Sequence, residues 1–192
     1  EYNNLLVAPV SLKNTLLDLI KEEIEKAKAG EETSIFLKMN SLTDRQLIDA
    51  LKEASQAGVK IKMIIRGICC ILPGIEGKTD NIEVISVVGR FLEHSRIFCF
   101  GTGENMKMYI ASADWMTRNT ENRVEIAAPI YDQKIKNSIY DTLRIMWKDN
   151  LKARILCSDG TYKKPEIKEG DELIDCQNYL RHEYKVGRKI KL

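Results

Sequence analysis

His94 and Arg96 are the two residues whose types and spacing point most directly to chemistry. Imidazole changes its protonation state near neutral pH, so His94 could act as a nucleophile or pass a proton. On a strand, the Arg96 side chain would share a face with His94, and a guanidinium can bind two phosphate oxygens without losing its charge. Such a pair suits phosphoryl transfer, in which the stabilisation is mostly electrostatic. A surface histidine beside a surface arginine is the alternative that remains open.

Other polar residues follow apolar, strand-like runs. Arg66 ends one such run and is followed by Gly67, which would let the backbone approach an anion closely. A structural ion pair of Arg66 is the alternative. Ser112 and Asp114 directly follow a later apolar run, where they could contact a ligand. Alternatively, they could cap a helix or turn. The same edge could hold four more residues, each of which could equally be solvated or ion-paired: Arg118, Asn119, Arg123 and Glu125.

The second histidine, His182, lies in a charged segment with no strand or small-residue turn after it, so we do not expect it to be catalytic. Trp115 and Trp147 are expected in the core or at a subunit contact. The sequence contains no Walker-type phosphate loop, dinucleotide-binding glycine fingerprint, metal-ligand cluster or nucleophile elbow.

The elements that must position these residues alternate strand and helix. Helices are expected after Ser11, from Thr43 and Asp44, and from Asp132 to about Lys148, and residues 68–81 should form a loop. Strands are predicted over 5–9, 34–39, 60–65, 82–88, 96–100, 107–112 and 123–129.

This alternation predicts an α/β fold with a mixed, mostly parallel sheet covered by helices. Ligands of such sheets collect beyond the carboxyl ends of the strands. Three polar phrases, at residues 38–40, 66–67 and 112–114, follow predicted strands and should therefore meet at one edge.

Length and composition indicate a globular protein of 192 residues, with 44% hydrophobic and 30% charged residues. The net charge of +2 is too small to argue for a nucleic-acid or membrane partner. Five cysteines without a C-x-x-C pair favour a reducing, cytoplasmic compartment. No signal peptide opens the chain, and no apolar run approaches the roughly 18–20 residues that span a bilayer.

The chain is expected to be a piece of a longer protein, because it begins at Glu1 in the middle of a strand-like phrase. Beyond Asn150 the composition shifts to Lys, Arg, Glu and Gly, with one helical candidate over about 171–183. We therefore predict a catalytic domain at 1–150 and a C-terminal extension at 151–192. The extension is expected to pack on this domain or to trail from it, as a peripheral tail that is partly ordered at best.

Three phrases carry a resemblance to a known family. Residues 65–70, 91–96 and 112–119, the last reading SADWMTRN, closely resemble the C-terminal catalytic region of bacterial polyphosphate kinases. Residues 38–40 and 79–82 also look like family phrases. The resemblance covers nearly all of residues 1–150 and continues more loosely into the tail.

The resemblance implies a function and a fold. The family reversibly transfers the terminal phosphoryl group of ATP to inorganic polyphosphate with Mg²⁺. Its C-terminal half has two related phospholipase D-like domains facing each other across the active site, and the first supplies the histidine that is phosphorylated. This chain looks like the second, with His94 as an assisting acid/base and Arg66 as a nucleotide- and phosphate-binding arginine. The ATP- and phosphate-binding set implied here is Lys38, Asn40, Arg66, His94, Arg96, Ser112, Asp114, Arg118 and Asn119, and no metal ligand is expected within it.

The same resemblance implies partners for the whole enzyme. These are ATP or ADP, inorganic polyphosphate, Mg²⁺ held by ligands outside this chain, the upstream domains of the same polypeptide, and further copies in a homo-oligomer. Neither nucleic acid nor a transmembrane segment is expected. The expected location is the cytoplasm, with membrane association of the whole enzyme as an alternative.

The sequence also departs from relatives of the phospholipase D type. Their histidine is followed by x-Lys and, after four intervening residues, Asp, whereas this chain has Arg96 and Gly101 at these positions. The absent aspartate would argue against lipid phosphodiesterase chemistry. The phosphorylated histidine has no counterpart, because His182 lies in a different context. We therefore expect half a site, which binds ATP or polyphosphate weakly and turns over nothing alone.

Two other functions stay open. A homodimeric phospholipase D-like phosphodiesterase could bring two His94 residues together. Alternatively, a module without catalytic activity could bind polyanions through its arginines, namely Arg66, Arg90, Arg96, Arg118 and Arg123.

Overall fold

The computed structural model describes residues 4–186, which form nine strands and five α-helices. The strands are β1 Leu6–Ala8, β2 Ser34–Met39, β3 Lys60–Ile65, β4 Ile82–Val87, β5 Arg96–Phe100, β6 Lys107–Ala111, β7 Glu125–Ile130, β8 Ala153–Leu156 and β9 Tyr162–Lys163. The helices are α1 Leu12–Lys28, α2 Arg45–Gln56, α3 Thr117–Glu121, α4 Gln133–Trp147 and α5 Cys176–Lys185. Within the described range, no helix has both the length and the apolar character needed to cross a membrane.

All nine strands join one sheet in the order β1-β7-β6-β5-β2-β3-β4-β8-β9. The α/β class and the mixed sheet are confirmed. The expectation of a mostly parallel sheet is wrong, because only β2–β3 and β3–β4 pair in parallel while the other six pairs are antiparallel. The sequence expectation extended βαβ grammar to strands that are joined by short connections. Short connections such as that between β5 and β6 can only return a strand antiparallel.

Helices cover both faces of the sheet. Apolar residues of α1 and α2 at helical spacing, such as Leu16, Ile20 and Leu51, pack on one face with Phe98 and Trp115. On the other face α4 and α5 pack on a second core that contains Phe36. Trp115 is fully buried, as expected of a core aromatic.

The N-termini of α1 and α2 are built differently. Helix α2 begins after Asp44, close to the expected start, and Asp44 caps it, because its carboxylate accepts hydrogen bonds from Gln46 N at 3.1 Å and Leu47 N at 3.2 Å. Ser11 stands at the N-cap position of α1 but makes no side-chain cap. Its hydroxyl instead accepts from Val7 N at 3.1 Å, so Ser11 ties α1 to β1 and does not cap the helix, although the helix begins after Ser11 as expected.

The segment beyond Asn150 belongs to the sheet. β8 pairs antiparallel with β4, where Ile155 lies opposite Ile85, and α5 packs against α4 on the second core. Up to residue 186 the extension is thus packed on the domain, and the alternative of a partly ordered peripheral tail is wrong there. Helix α5 begins at Cys176 rather than near residue 171. Residues 187–192 of the predicted extension lie outside the described residues. The division of the chain at residue 150 stays a prediction.

Candidate active site at one edge of the sheet

The predicted polar phrases lie at the same edge of the sheet. β2, β3, β4 and β6 run in one direction, so their carboxyl ends share this edge, and the antiparallel β5 and β7 begin there. The connection between β4 and β5, residues 88–95, carries His94 and is called the His94 loop below.

Asp114 is the buried centre of this edge. Its Oδ1 atom accepts hydrogen bonds from Asn40 N at 2.7 Å and Ser41 N at 3.3 Å. The Arg96 guanidinium forms a two-point pair with the carboxylate, with Nη2 to Oδ2 at 3.0 Å and Nε to Oδ1 at 3.3 Å. Burial would raise the pKa of Asp114, but the hydrogen bonds from Arg96 and Asn40 outweigh it and hold the pKa below its ordinary value. Asp114 therefore joins β2, β5 and β6 rather than facing a ligand.

Arg96 also contacts the exposed side chain of His94. Arg96 Nη1 lies 3.1 Å from His94 Nδ1 and 2.9 Å from the His94 carbonyl oxygen. A guanidinium has donors and no acceptor, so Nδ1 accepts and a neutral His94 carries its proton on Nε2. The expected pairing of His94 and Arg96 is present in the structure. Most of the Arg96 fork is used on Asp114, however, so it is not left free for two phosphate oxygens.

Lys38 faces inward and supports the His94 loop. Its ammonium donates to Ser95 O at 3.0 Å and Ser95 Oγ at 2.9 Å, and lies 3.5 Å from Glu93 Oε2. The side chain is only 2% exposed. Burial lowers the pKa of Lys38, opposed by the Glu93 charge and reinforced by the nearby Arg66 and Arg96 charges. These contacts favour a structural role over direct phosphate binding.

Arg66 is the cation that stays available. It is half-buried, and within residues 4–186 its guanidinium has no hydrogen-bond or salt-bridge partner, so the alternative of a structural ion pair is absent there. Gly67 has a different use from the expected one. Its N–H donates to Asn40 O at 2.7 Å, and a Cβ at this position would lie 3.0 Å from the same oxygen. The glycine thus permits close packing of the ends of β2 and β3.

Glu125 joins two predicted site residues. Its carboxylate accepts short hydrogen bonds from Ser112 Oγ and from Asn119 Nδ2, the latter at 2.6 Å. Ser112 Oγ also accepts from Ile126 N at 3.1 Å, so the hydroxyl ties β6 to β7. Arg118 lies exposed on α3 beside this group.

Two buried amide oxygens at this edge lack partners. Asn40 and Asn119 are only 6% and 4% exposed, and the Oδ1 atom of each accepts no hydrogen bond in the described part of the chain. Buried acceptors are normally paired. Both residues belong to the predicted set, and unpaired acceptors are typical of a site that is completed by another group.

A metal centre is not apparent in this part of the chain. Among residues 4–186 there is no group of three or more His, Cys, Asp or Glu side chains that could hold a metal ion. The side chains present thus do not fit a Mg²⁺ site built by this domain alone. The Mg²⁺ dependence implied by the resemblance stays a prediction.

Gly101 lies far from His94. β5 runs from Arg96 at the site edge to Phe100, and Gly101 N donates to Ser34 O at the opposite edge. Five strand residues span roughly 16 Å, so an aspartate at this position could not reach His94. A Cβ there would lie 3.5 Å from Glu23 Oε1. The missing aspartate therefore does not decide between hydrolase and kinase chemistry at His94.

Sequence reasoning missed Gln177. This residue at the start of α5 is 6% exposed, and its carboxamide contacts the His94 loop at Phe91 and Glu93. The miss has a clear cause, because residue 177 lies in the segment that composition indicated to be a tail. No local sequence pattern marks it.

Comparisons with known proteins agree with one another. Residues 5–177 match the family model described as polyphosphate kinase C-terminal domain 2. A polyphosphate kinase of Thermosynechococcus vestitus is 50% identical over 171 residues, which are 89% of this chain and 23% of the relative. The crystal structure of polyphosphate kinase from Porphyromonas gingivalis matches with a TM-score of 0.92 and 37% identity, over 97% of this chain and 28% of the other.

A more distant structure shares only the fold. The phospholipase D family member Nuc from Salmonella typhimurium matches with a TM-score of 0.56 and 16% identity, over 84% of this chain and 97% of the other. The chain spans about a quarter of the length of the curated relatives it matches, 23% in one case and 26% in another.

Proposed function

The chain belongs to the polyphosphate kinase family, as its C-terminal domain 2, and we propose that it forms one wall of a phosphotransferase site. The reaction is the reversible transfer of the ATP γ-phosphoryl group to inorganic polyphosphate. A histidine in another domain carries the phosphoryl group between the two substrates. This chain supplies an acid/base group and a phosphate-binding cation.

The observation that carries the proposal is that the exposed His94 lies at the same edge as Arg66, whose guanidinium has no partner among residues 4–186. Most other charged side chains of the predicted set bind other residues of this chain. Lys38 donates to the His94 loop, and Arg96 pairs with Asp114, which also accepts from the backbone after β2. His94 Nε2 and the Arg66 guanidinium remain available for a substrate that carries charge and protons. Phosphate groups fit both requirements.

The proposed reaction has two steps. First, a histidine nitrogen outside this chain attacks the γ-phosphorus, an N–P bond forms, the bond from the γ-phosphorus to the bridging oxygen breaks, and ADP leaves. Then a terminal oxygen of polyphosphate attacks the same phosphorus, a P–O bond forms and the N–P bond breaks. His94 exchanges a proton at Nε2 with a phosphate oxygen, while Arg96 holds Nδ1 as an acceptor. Arg66 binds phosphate oxygens, where its fixed charge opposes the charge that builds up in transfer.

The test is phosphoryl transfer from ATP to polyphosphate, measured for this chain alone and mixed with the separately expressed upstream part of the kinase. We expect activity in the mixture only. His94→Ala should lower its rate by about 10²–10⁴-fold, the usual contribution of an acid/base group. Arg66→Ala should mainly weaken nucleotide binding, by about tenfold. His182→Ala is the matched control, because His182 is exposed on α5, and it should leave the rate unchanged.

Two outcomes would contradict the proposal. Robust synthesis by the chain alone would mean that it contains a nucleophile, and His182 or a dimer of His94 sites would have to be reconsidered. A mixture in which His94→Ala keeps the normal rate would remove the acid/base role.

The alternative functions give different results in the same assay. Phosphodiesterase activity in a dimeric preparation of the chain alone would favour the hydrolase, and strict dependence on the upstream half would exclude it. Polyphosphate binding that survives His94→Ala, with no transfer in any mixture, would favour a polyanion-binding module.

The remaining parts of the proposal concern the whole enzyme. Its substrates are ATP or ADP and polyphosphate, Mg²⁺ is bound by phosphates and by residues of other domains, and the copies assemble into a homo-oligomer. The enzyme works in the cytoplasm or at a membrane surface.

A further inference from the structure

The His94 loop is poorly held by its own backbone. Residues 88–95 contain no helix or strand, and Phe91, Leu92 and His94 are exposed. Within the described chain, residues 89–94 make no backbone-to-backbone hydrogen bond of the kind that fixes turns. An acid/base group has to be held close to its working position, because a shift of about 1 Å can cost a large factor in rate.

Gln177 supplies the missing contacts. Its Oε1 atom accepts from Phe91 N at 2.9 Å, and its Nε2 atom donates to Phe91 O at 2.8 Å and to Glu93 Oε1 at 2.7 Å. One carboxamide thus satisfies both backbone groups of Phe91. It also orients Glu93, whose other oxygen lies 3.5 Å from Lys38 Nζ.

The contacts hold His94 from both sides. Gln177 fixes the loop three residues before His94 and orients Glu93 directly before it, while Lys38 donates to the carbonyl and hydroxyl of Ser95 directly after it. The Gln177 end is itself anchored, because the buried Asp149 accepts from Cys176 N at 2.8 Å. The order of the loop therefore depends on a residue of α5.

Gly89 makes room for this amide. A Cβ on Gly89 would overlap the Gln177 carboxamide, lying 2.8 Å from its Cδ atom and 3.3 Å from Nε2, and its nearest atoms all belong to Gln177. Gly89 does not have a positive φ angle. An alanine at this position would therefore force the Gln177 amide to move, whereas the local backbone would accept it.

We propose that Gln177 is a positioning residue for His94, with Gly89 as the space that its amide requires. The C-terminal segment is then part of the active site without touching substrate. The catalytic consequence rests on the proposed function above, whereas the effect on the loop does not.

The imidazole nitrogen NMR signals of the whole 192-residue chain test the loop directly. His94 and His182 are its two histidines, so the exposed His182 on α5 gives a reference signal from the helix that carries Gln177. Gln177→Ala and Gly89→Ala should each shift or broaden the His94 signals and leave those of His182 unchanged. Unchanged His94 signals in both variants would overturn the proposal, and so would equal changes at both histidines.

Asn150→Ala is the matched control. Asn150 also holds the segment before α5 by its carboxamide, with Nδ2 to Glu172 O and Oδ1 from Ile174 N, both at 2.8 Å, but it does not contact the His94 loop. In the mixture with the upstream part, Gln177→Ala should lower kcat about tenfold with KM within about twofold, and Asn150→Ala should change kcat less than twofold. An equal loss in the control would mean that Gln177 acts only by docking the segment, which would overturn the proposal.

A double variant tests the geometry. In the Gln177→Ala background the obstacle to a Cβ on Gly89 is gone, so Gly89→Ala should cause no further loss of kcat and no further change at His94. Losses that simply multiply would overturn the proposed role of Gly89. If the unmodified mixture shows no transfer, the proposed function fails, and the His94 signals still decide the role of Gln177.

Discussion

Asp114 and the His94 loop both contact Arg96, but different kinds of interaction hold them in place. Asp114 is buried, and its partners are backbone N–H groups and a guanidinium on neighbouring strands. His94 is exposed on a loop that is held by side chains from β2 and α5. The first arrangement is part of the core. The second can be lost while the sheet remains folded.

This difference divides the predicted site residues into those that hold the structure together and those that stay available for substrate. Polar residues that follow apolar strands were expected to contact ligand, yet Asp114, Lys38 and Ser112 mainly hold strands and the loop together. The side chains of His94 and Arg66 make few contacts within the described chain and remain available for substrate. Arg96 belongs to both groups, because it donates to Asp114 and to His94.

Removing the Asp114 carboxylate should have the largest effect on stability. Asp114→Ala leaves the Arg96 charge and two backbone N–H groups without partners, so the free energy of unfolding should fall by about 3–5 kcal/mol. Urea denaturation measures this. Asp141→Ala is the control, because Asp141 lies on α4 in an i,i+3 pair with Arg144 at 3.5 Å, and it should cost less than about 1 kcal/mol. Equal losses of unfolding free energy in the two variants would show that the buried Asp114 contributes no more to stability than a surface carboxylate.

Replacing Arg96 by lysine tests the link between the two regions. An ammonium cannot reproduce the two-point pair with Asp114 and reach His94 Nδ1 at the same time. Arg96→Lys should therefore lower the free energy of unfolding by about 1–3 kcal/mol and also change the His94 imidazole signals. A variant that changes stability while the His94 signals stay constant would mean that the two regions are independent.

Much of the fold was predictable because its elements are locally encoded. Apolar periodicity and turn residues gave β2, β3 and β5 their observed bounds, and Asp44 marked the start of α2. The pairing direction was less accessible. Helices cover both faces of this sheet, so the antiparallel β5 is a buried apolar run, a pattern that is typical of parallel strands. The tail was misjudged because its composition is polar, while β8 needs only four residues to extend a sheet that already exists.

The location of the candidate residues was predictable, and their contacts were less so. Residue type and strand ends brought His94, Arg66 and Asp114 to one edge, because the topology places those ends together. The sequence does not show which charges neutralise one another. The pairing of Arg96 with Asp114 and the contact between Gln177 and the His94 loop join residues 18 and 86 apart in the chain, and only the folded structure shows them.

The acid stability of the chain should reflect Asp114. Its pKa in the folded chain lies below the ordinary value of 3.8, so the unfolded chain takes up the proton at a higher pH. The stabilisation is complete above that value and is lost as the pH falls through the lower, folded pKa. The gap in unfolding free energy between the unmodified chain and Asp114→Asn should thus shrink below about pH 3.8. A gap that does not vary with pH would contradict the ionised Asp114–Arg96 pair.

Removing the imidazole should have the smallest effect on folding. His94→Ala deletes an exposed side chain whose contact within the described residues is to Arg96, while Lys38 and Gln177 still hold the loop through other atoms. The free energy of unfolding should change by no more than about 0.5 kcal/mol, even though the same variant should remove most phosphoryl transfer. Gln177→Ala is the complementary variant, because it keeps the imidazole but removes the side-chain contacts that hold the His94 loop. A His94→Ala variant that unfolds in less urea by the same margin as Asp114→Ala would place His94 in the core, and the distinction between the two regions would fail.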